Sequence, residues 1–130
     1  MTDKRFTLTK EERLSWKRYI DLLFEKGQSF VSFPLRVIYL STEEKEGLAP
    51  VSILTNVSKK KFKRAVKRNK IKRLIREAYR LQKTDLVAHL QAKDKSLLVA
   101  FLYLDKEVHS YSTIEKAMKK AITQLSGKVE

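Results

Sequence analysis

Between Lys59 and Arg80 the chain sets twelve basic residues against the single acid Glu77, in a stretch free of Gly and Pro. No other feature restricts the fold as tightly. A segment dense in Arg, Lys, Leu, Ile and Ala favours helix, here from about Lys63 to Gln82. At about 100° per residue it sorts into two faces. Ile71, Leu74, Ile75, Ala78, Tyr79 and Leu81 fall on one arc; Arg68, Asn69, Lys72, Arg73, Arg76 and Arg80 fall on the opposing one. The first face must dock on a core, and the second is a footprint for a polyanion. A merely solvated helix face interleaves Glu for i,i+4 pairs, and this one does not.

The charge excess is local. The 130 residues carry 29 Lys plus Arg and 15 Asp plus Glu, a net of +14, of which residues 59–80 supply +11. The flanks, 1–58 and 81–130, contribute +1 and +2 and are close to neutral. Apolar residues make up 42%, including six Phe, five Tyr and one Trp, enough for one core in a chain too short for two ordinary domains. Without Cys there is no disulfide framework, thiolate metal site or thiol nucleophile. Met1 to Leu14 is polar and unlike a secretory signal. The longest apolar run, Leu97 to Leu104, is too short to span a bilayer. We expect a cytoplasmic protein with no membrane contact: an extension over 1–14, a domain over 15–126 and a tail over 127–130.

Around the basic segment the pattern alternates between helix and strand. Thr9 and Glu12 have capping-box spacing. Trp16, Tyr19, Ile20, Leu23 and Phe24 recur at helical spacing, predicting a helix from Ser15, as N-cap, to Lys26. Gly27 is placed to close it in a left-handed conformation. Pro34 to Leu40 and Pro50 to Val57 read as strands, with Phe30 to Phe33 adding strand length before a break at Pro34 and a loop over 43–47. Thr84 to Lys95 is ambiguous, and Leu97 to Leu104 is a strand buried on both faces. Ser112 and Glu115 form a second capping box, opening a helix through Ile114, Ala117, Met118, Ala121, Ile122 and Leu125 that Gly127 ends. The sum is an α+β single-domain two-layer sandwich, a small, mainly antiparallel sheet packed with helices in α-β-β-β-α-β-α order.

The central segment resembles the ribonuclease P protein family, whose hallmark is an Arg-Asn-Arg run in a helix, preceded by Ala-Val and followed by Ile-Lys-Arg. Ala65, Val66, Arg68, Asn69, Lys70, Ile71, Lys72, Arg73, Leu74, Arg76 and Glu77 stand in that arrangement, with Val57-Ser58-Lys59-Lys60 just upstream. Phe24-Glu25-Lys26-Gly27 matches the family's Phe-x-x-Gly. The chain departs from the pattern at Lys70, which keeps the charge but not the fork, at Ile20, where an aromatic is usual, and at Leu54, where Gly is usual.

The resemblance implies a left-handed β-α-β crossover, against the usual right-handed preference. It also implies a subunit of a ribonucleoprotein endonuclease that removes 5′ leaders from precursor tRNA. The chemistry is then Mg2+-dependent hydrolysis on the catalytic RNA subunit, with no metal or catalytic residue on the protein and no obligatory protein partner. Arg68, Asn69, Lys70, Lys72, Arg73, Arg76 and Arg80 are the expected contacts to the RNA subunit, joined by Lys59, Lys60 and Lys61. The leader cleft is expected to take in Phe24, Ile20, Ile38 and Tyr39. For Phe24 a core position is an equal alternative, and for Leu23 it is the preferred one.

Independently of any family, Arg supplies a rigid donor fork suited to phosphate. Two His and a Lys can run acid–base RNA cleavage, but nothing in the sequence brings His89 and His109 together. Asp85 and His89, at i,i+4, can share a metal if helical, although a solvated pair is the commoner outcome. Three rival readings remain at this stage: a ribosomal or assembly protein, a DNA-binding helix protein and a stand-alone nuclease.

Overall fold

A computed structural model describes residues 9, 12–43 and 48–129. The elements run α1 (Lys17–Lys26), β1 (Gln28–Ser32), β2 (Leu35–Thr42), β3 (Val51–Asn56), α2 (Ala65–Gln82), α3 (Thr84–Lys93), β4 (Ser96–Tyr103) and α4 (Tyr111–Lys128). The order is the expected one, with α3 filling the ambiguous stretch. The loop expected over 43–47 falls outside the described residues except for Glu43.

Four strands form one mixed sheet in the order β1-β2-β4-β3. β1 pairs with β2, and β2 with β4, antiparallel; β3 lies parallel to β4, with Val51 beside Leu97. The chain passes from β3 to β4 through α2 and α3, so the basic helix lies inside the crossover. Phe30 to Phe33 does not lengthen β2. Phe30 to Ser32 belong to a separate strand that hairpins back through Phe33 and Pro34, the latter unable to donate to a ladder.

Strand alternation divides the apolar residues between two cores. Val37, Tyr39, Leu97, Val99, Phe101 and Tyr103 join Ile71, Ile75, Ala78 and Tyr79 of α2 and the apolar face of α4 in the larger one. Leu98 and Ala100 face the other way, into a smaller core with Leu14, Tyr19 and Leu23. The sandwich of helices on a sheet is therefore joined by a partial third layer, α1, on the second face. Leu81, placed on the apolar arc from sequence, is exposed: at about 100° per residue it lies roughly 105° from the middle of the buried residues, on the rim of that arc.

Local chemistry moves several boundaries. Ser110, not Ser112, caps α4 by accepting the Thr113 N–H at 3.3 Å, so the helix starts a residue earlier than Ser112. It also runs through Gly127 to Lys128, and Val129 is buried, so the expected tail is largely part of the domain. α1 has Trp16 at its N-cap and no side-chain cap. Gly27 closes α1 with φ −69°, not left-handed. It is needed for room: a Cβ there would collide with the Leu23 carbonyl and lie 2.9 Å from Ile38 Cγ2. The left-handed closure occurs instead at Asp94, φ 55°, after α3.

The N-terminal extension is not separate from the domain at its inner end. Leu14 N–H donates to Ile53 O and Ile53 N–H to Glu12 O, both at 2.7 Å, so residues 12–14 cover the free edge of β3. Glu12 accepts from Lys83 Nζ at 2.6 Å, a nearly buried ion pair that ties this segment to the start of α3. The opposite edge, β1, has no such strand beside it among the described residues.

Candidate nucleic-acid interface

With Ile71, Ile75, Ala78 and Tyr79 buried, α2 turns Lys67, Asn69, Lys70, Arg73 and Arg76 outward, all exposed. Lys72 is half-buried on the flank. The remaining cations of the expected set do other work. Arg68 Nη1 donates to the carbonyls of Phe62 and Lys63, each at 2.8 Å, and so pins the loop before the helix to its first turn. Arg80 grips Glu77 through Nε at 3.2 Å and Nη2 at 2.5 Å, and that hydrogen bond holds the Glu77 carboxyl below its usual value. Lys61 Nζ donates to the Leu104 carbonyl, leaving Lys59 and Lys60 exposed beside it.

Three cations absent from the expected set belong to this surface. Lys63, Arg64 and Lys67 are exposed around the N-terminus of α2, whose first turn contains no acid. Unpaired N–H groups and the helix dipole favour an anion at such an end. A count of charges already includes these residues; what singles them out is the helix start at Ala65, two residues later than the sequence places it.

A second surface lies on the α1 side of the sheet. Ile20 and Phe24, one turn apart, share a flank of α1. Ile20 is half-buried against the smaller core, and Phe24 is 47% exposed. Phe24 is thus a surface aromatic rather than a core one, while Tyr19 and Leu23 are fully buried. Ile38 is half-buried on the sheet face toward α1. Tyr39, expected beside it, points the other way: it is 8% exposed in the larger core, with its hydroxyl on Gln28 Oε1 at 2.9 Å. Adjacent strand residues cannot share a face.

The true neighbours of Ile38 on its face are the alternate residue Arg36 and residues of other strands. Register places Val31, Arg36, Leu102 and Asn56 in one row across all four strands. Val31, Arg36 and Asn56 are exposed and Leu102 is half-buried, so this row is a strip of sheet that α1 leaves uncovered. At the β3 edge, Arg76 of the basic helix lines a hollow of about 200 Å3 with Arg13, Leu14, Ile53, Leu54 and Thr55.

The histidines are apart in role. His109 Nε2 lies 2.5 Å from Asp105 Oδ2, and hydrogen bonding from His109 holds the Asp105 carboxyl below its usual value. His89 Nε2 meets the Val129 carbonyl at 2.7 Å rather than Asp85. Among the described residues no three His, Cys, Asp or Glu side chains group as metal ligands. No described helix is long and apolar enough to cross a membrane.

Fold and site together define a single-domain α+β protein with an exposed basic helix and an open, aromatic-flanked sheet strip. The Ribonuclease P family model matches residues 8–126. The chain belongs to the ribonuclease P protein family, the protein components of a ribonucleoprotein endoribonuclease of tRNA processing. It is 43% identical over 125 residues to the ribonuclease P protein component of Porphyromonas gingivalis W83, covering 95% of this chain and 90% of that one. With the component from Chlorobaculum tepidum it shares 37% identity over 110 residues, 79% of this chain and 71% of the relative. The Staphylococcus aureus RNase P protein superposes with a TM-score of 0.66 at 25% identity, over 92% of this chain and 98% of that one. The Thermotoga maritima protein, at 22% identity and a TM-score of 0.65 over 87% and 96% of the two chains, shares the fold.

Proposed function

We propose that α2 binds the catalytic RNA subunit of ribonuclease P while the uncovered sheet strip beside α1 binds the 5′ leader of precursor tRNA. The observation that carries this reading is the pair of distinct surfaces, the exposed cations on the outer face of α2 and the partly open sheet strip of Val31, Arg36, Leu102 and Asn56 beside α1. Asn69, Lys70, Arg73 and Arg76, with Lys59 and Lys60, meet phosphates of the RNA subunit directly, since Arg forks and Lys point charges both suit them. Arg68 and Lys61 act by fixing the loop that carries Lys59 and Lys60. Phe24 offers a flat surface for a leader base, as aromatics do for single strands.

Mg2+ enters through the RNA subunit, which performs the hydrolysis; the protein screens repulsion between the two RNAs. Reconstitution with a bacterial ribonuclease P RNA tests this reading. Protein and RNA together should remove the leader from precursor tRNA at low Mg2+, and the protein alone should cleave nothing. Leader removal by RNA-free protein would transfer the chemistry to side chains and end the proposal.

A further inference from the structure

On the far side of the sheet from the β3 edge, a second basic hollow opens between β1 and α4. It has a volume of about 380 Å3 and is lined by Val31, Ser32, Phe33, Thr113, Lys116, Ala117, Lys120 and Gln124. It shares only Val31 with the sheet strip assigned above, and nothing with the basic face of α2. Its floor is fixed: the buried Ser32 hydroxyl donates to the Ala117 carbonyl at 2.8 Å, clamping the strand to the helix.

Three features give the hollow a chemistry. Lys116 and Lys120 stand one helical turn apart, about 6 Å along the axis. Like charges at this spacing weaken a helix, so the pair does not serve α4 itself. No acid lines the hollow, and Lys119, also exposed, lies beside both. The nearest acid of the helix, Glu115, is turned about 100° from Lys116 and 140° from Lys120, on the side where its carbonyl accepts from Gln82 of α2. Phe33, at the hairpin turn, is 61% exposed, and the His109 ring meets it in a T-shaped contact at 5.8 Å.

We infer that the β1–α4 hollow is a third RNA-binding site, taking a short single-stranded segment with one base against Phe33 and its flanking phosphates on Lys116 and Lys120. A held aromatic beside paired cations, with Thr113 and Gln124 as hydrogen-bonding groups, is the sequence-tolerant platform that single strands use. An acidic peptide would satisfy the lysines but leave the Phe33 ring without a flat partner. The inference rests on the chain's being an RNA-binding subunit, and its test separates the two.

The full chain is titrated with a fluorescent ten-nucleotide oligouridine over a range of salt, and cross-linked to the same oligomer containing 4-thiouridine. Cross-links to Phe33 or its neighbours on β1 are expected in the wild type. Phe33→Ala should weaken binding about tenfold, the scale of one base–aromatic stack. Lys116→Gln/Lys120→Gln should lower the salt slope by about 1.4, at roughly 0.7 per single-strand phosphate contact. All three positions are on the surface, and a thermal melt confirms that each variant is folded. If both variants keep wild-type affinity and slope while Arg73→Ala/Arg76→Ala loses binding, the hollow is not an RNA site and the proposed function stands. If none of the three changes binding, both readings fail. Displacement of the oligomer by polyglutamate at lower concentration than by unlabelled RNA would also overturn the inference, in favour of an acidic protein partner.

Discussion

The two faces of the sheet are built from the same strands and do opposite things. One face is sealed by α2, α3 and α4, and its residues are almost wholly buried. Among the described residues the other is covered by α1, with Leu14 and Leu48 beside it, leaving Val31, Arg36, Leu102 and Asn56 in a partly open row. Phe101 and Leu102 are consecutive on β4, yet one is at the centre of the larger core and the other at the floor of the strip. Stability and binding are thus interleaved residue by residue, and a sheet of only four strands can do both because its side-chain period is two.

The sharpest break of this comparison is on the sealed face. Phe101→Ala should cost about 3–5 kcal/mol of stability, as large-to-small changes in a filled core do, read from urea denaturation. A loss below 1 kcal/mol would mean that this face is not the one that holds the fold together. Next comes the edge where the two faces meet. Glu12→Ala removes the carboxylate that accepts from the nearly buried Lys83 ammonium and should cost about 3 kcal/mol. The double change Glu12→Ala/Lys83→Met should recover much of that in the same assay.

On the open face the effect moves from stability to binding. Phe24→Ala should leave the melting temperature almost unchanged while weakening precursor tRNA binding by the reconstituted enzyme by about 1–3 kcal/mol. Mature tRNA should bind as before, and a melt that drops by many degrees would place Phe24 in the core after all.

The smallest effect is electrostatic and sits at the end of the sheet, where both faces finish. Because its folded-state value is depressed, chiefly by the His109 hydrogen bond, Asp105 favours the folded state above the ordinary carboxylate range. That contribution disappears as pH falls through the depressed value. Asp105→Asn should make the acid limb of the stability profile slightly shallower, measured by denaturant midpoints between neutral and acid pH.

Much of this was legible in the chain because local periodicity reports what a helix or strand turns inward. The two arcs of α2 emerge from spacing alone, and its four buried residues all come from the apolar arc. The cleft was harder to read. Naming Ile38 with Tyr39 follows sequence adjacency, whereas a strand shares its face with alternate residues and with partners set by register. Arg36 was available from that alternation; Leu102 and Asn56 required knowing that β4 lies between β2 and β3, which no local signal carries. The same holds for Arg68. Its position on the cationic arc marks it for RNA, and only the carbonyls of Phe62 and Lys63, brought within reach by the turn before α2, show its other task. The boundary error at Ser112 arises because a competing cap, Ser110, lies two positions away, whereas Gly27 ends α1 where expected and only its conformation differs, since what it supplies is room beside Ile38.

The parallel pairing of Val51 with Leu97 has a kinetic consequence. It closes a long loop before any ladder bond rewards it, the kind of non-local contact that slows folding. That loop contains nearly all of the net charge, so its cations repel one another while the ends search for contact. Screening by salt shortens this repulsion. Stopped-flow refolding should therefore quicken as salt rises over the range in which RNA affinity falls, so that one ion concentration hastens the birth of the native chain and loosens its hold on RNA.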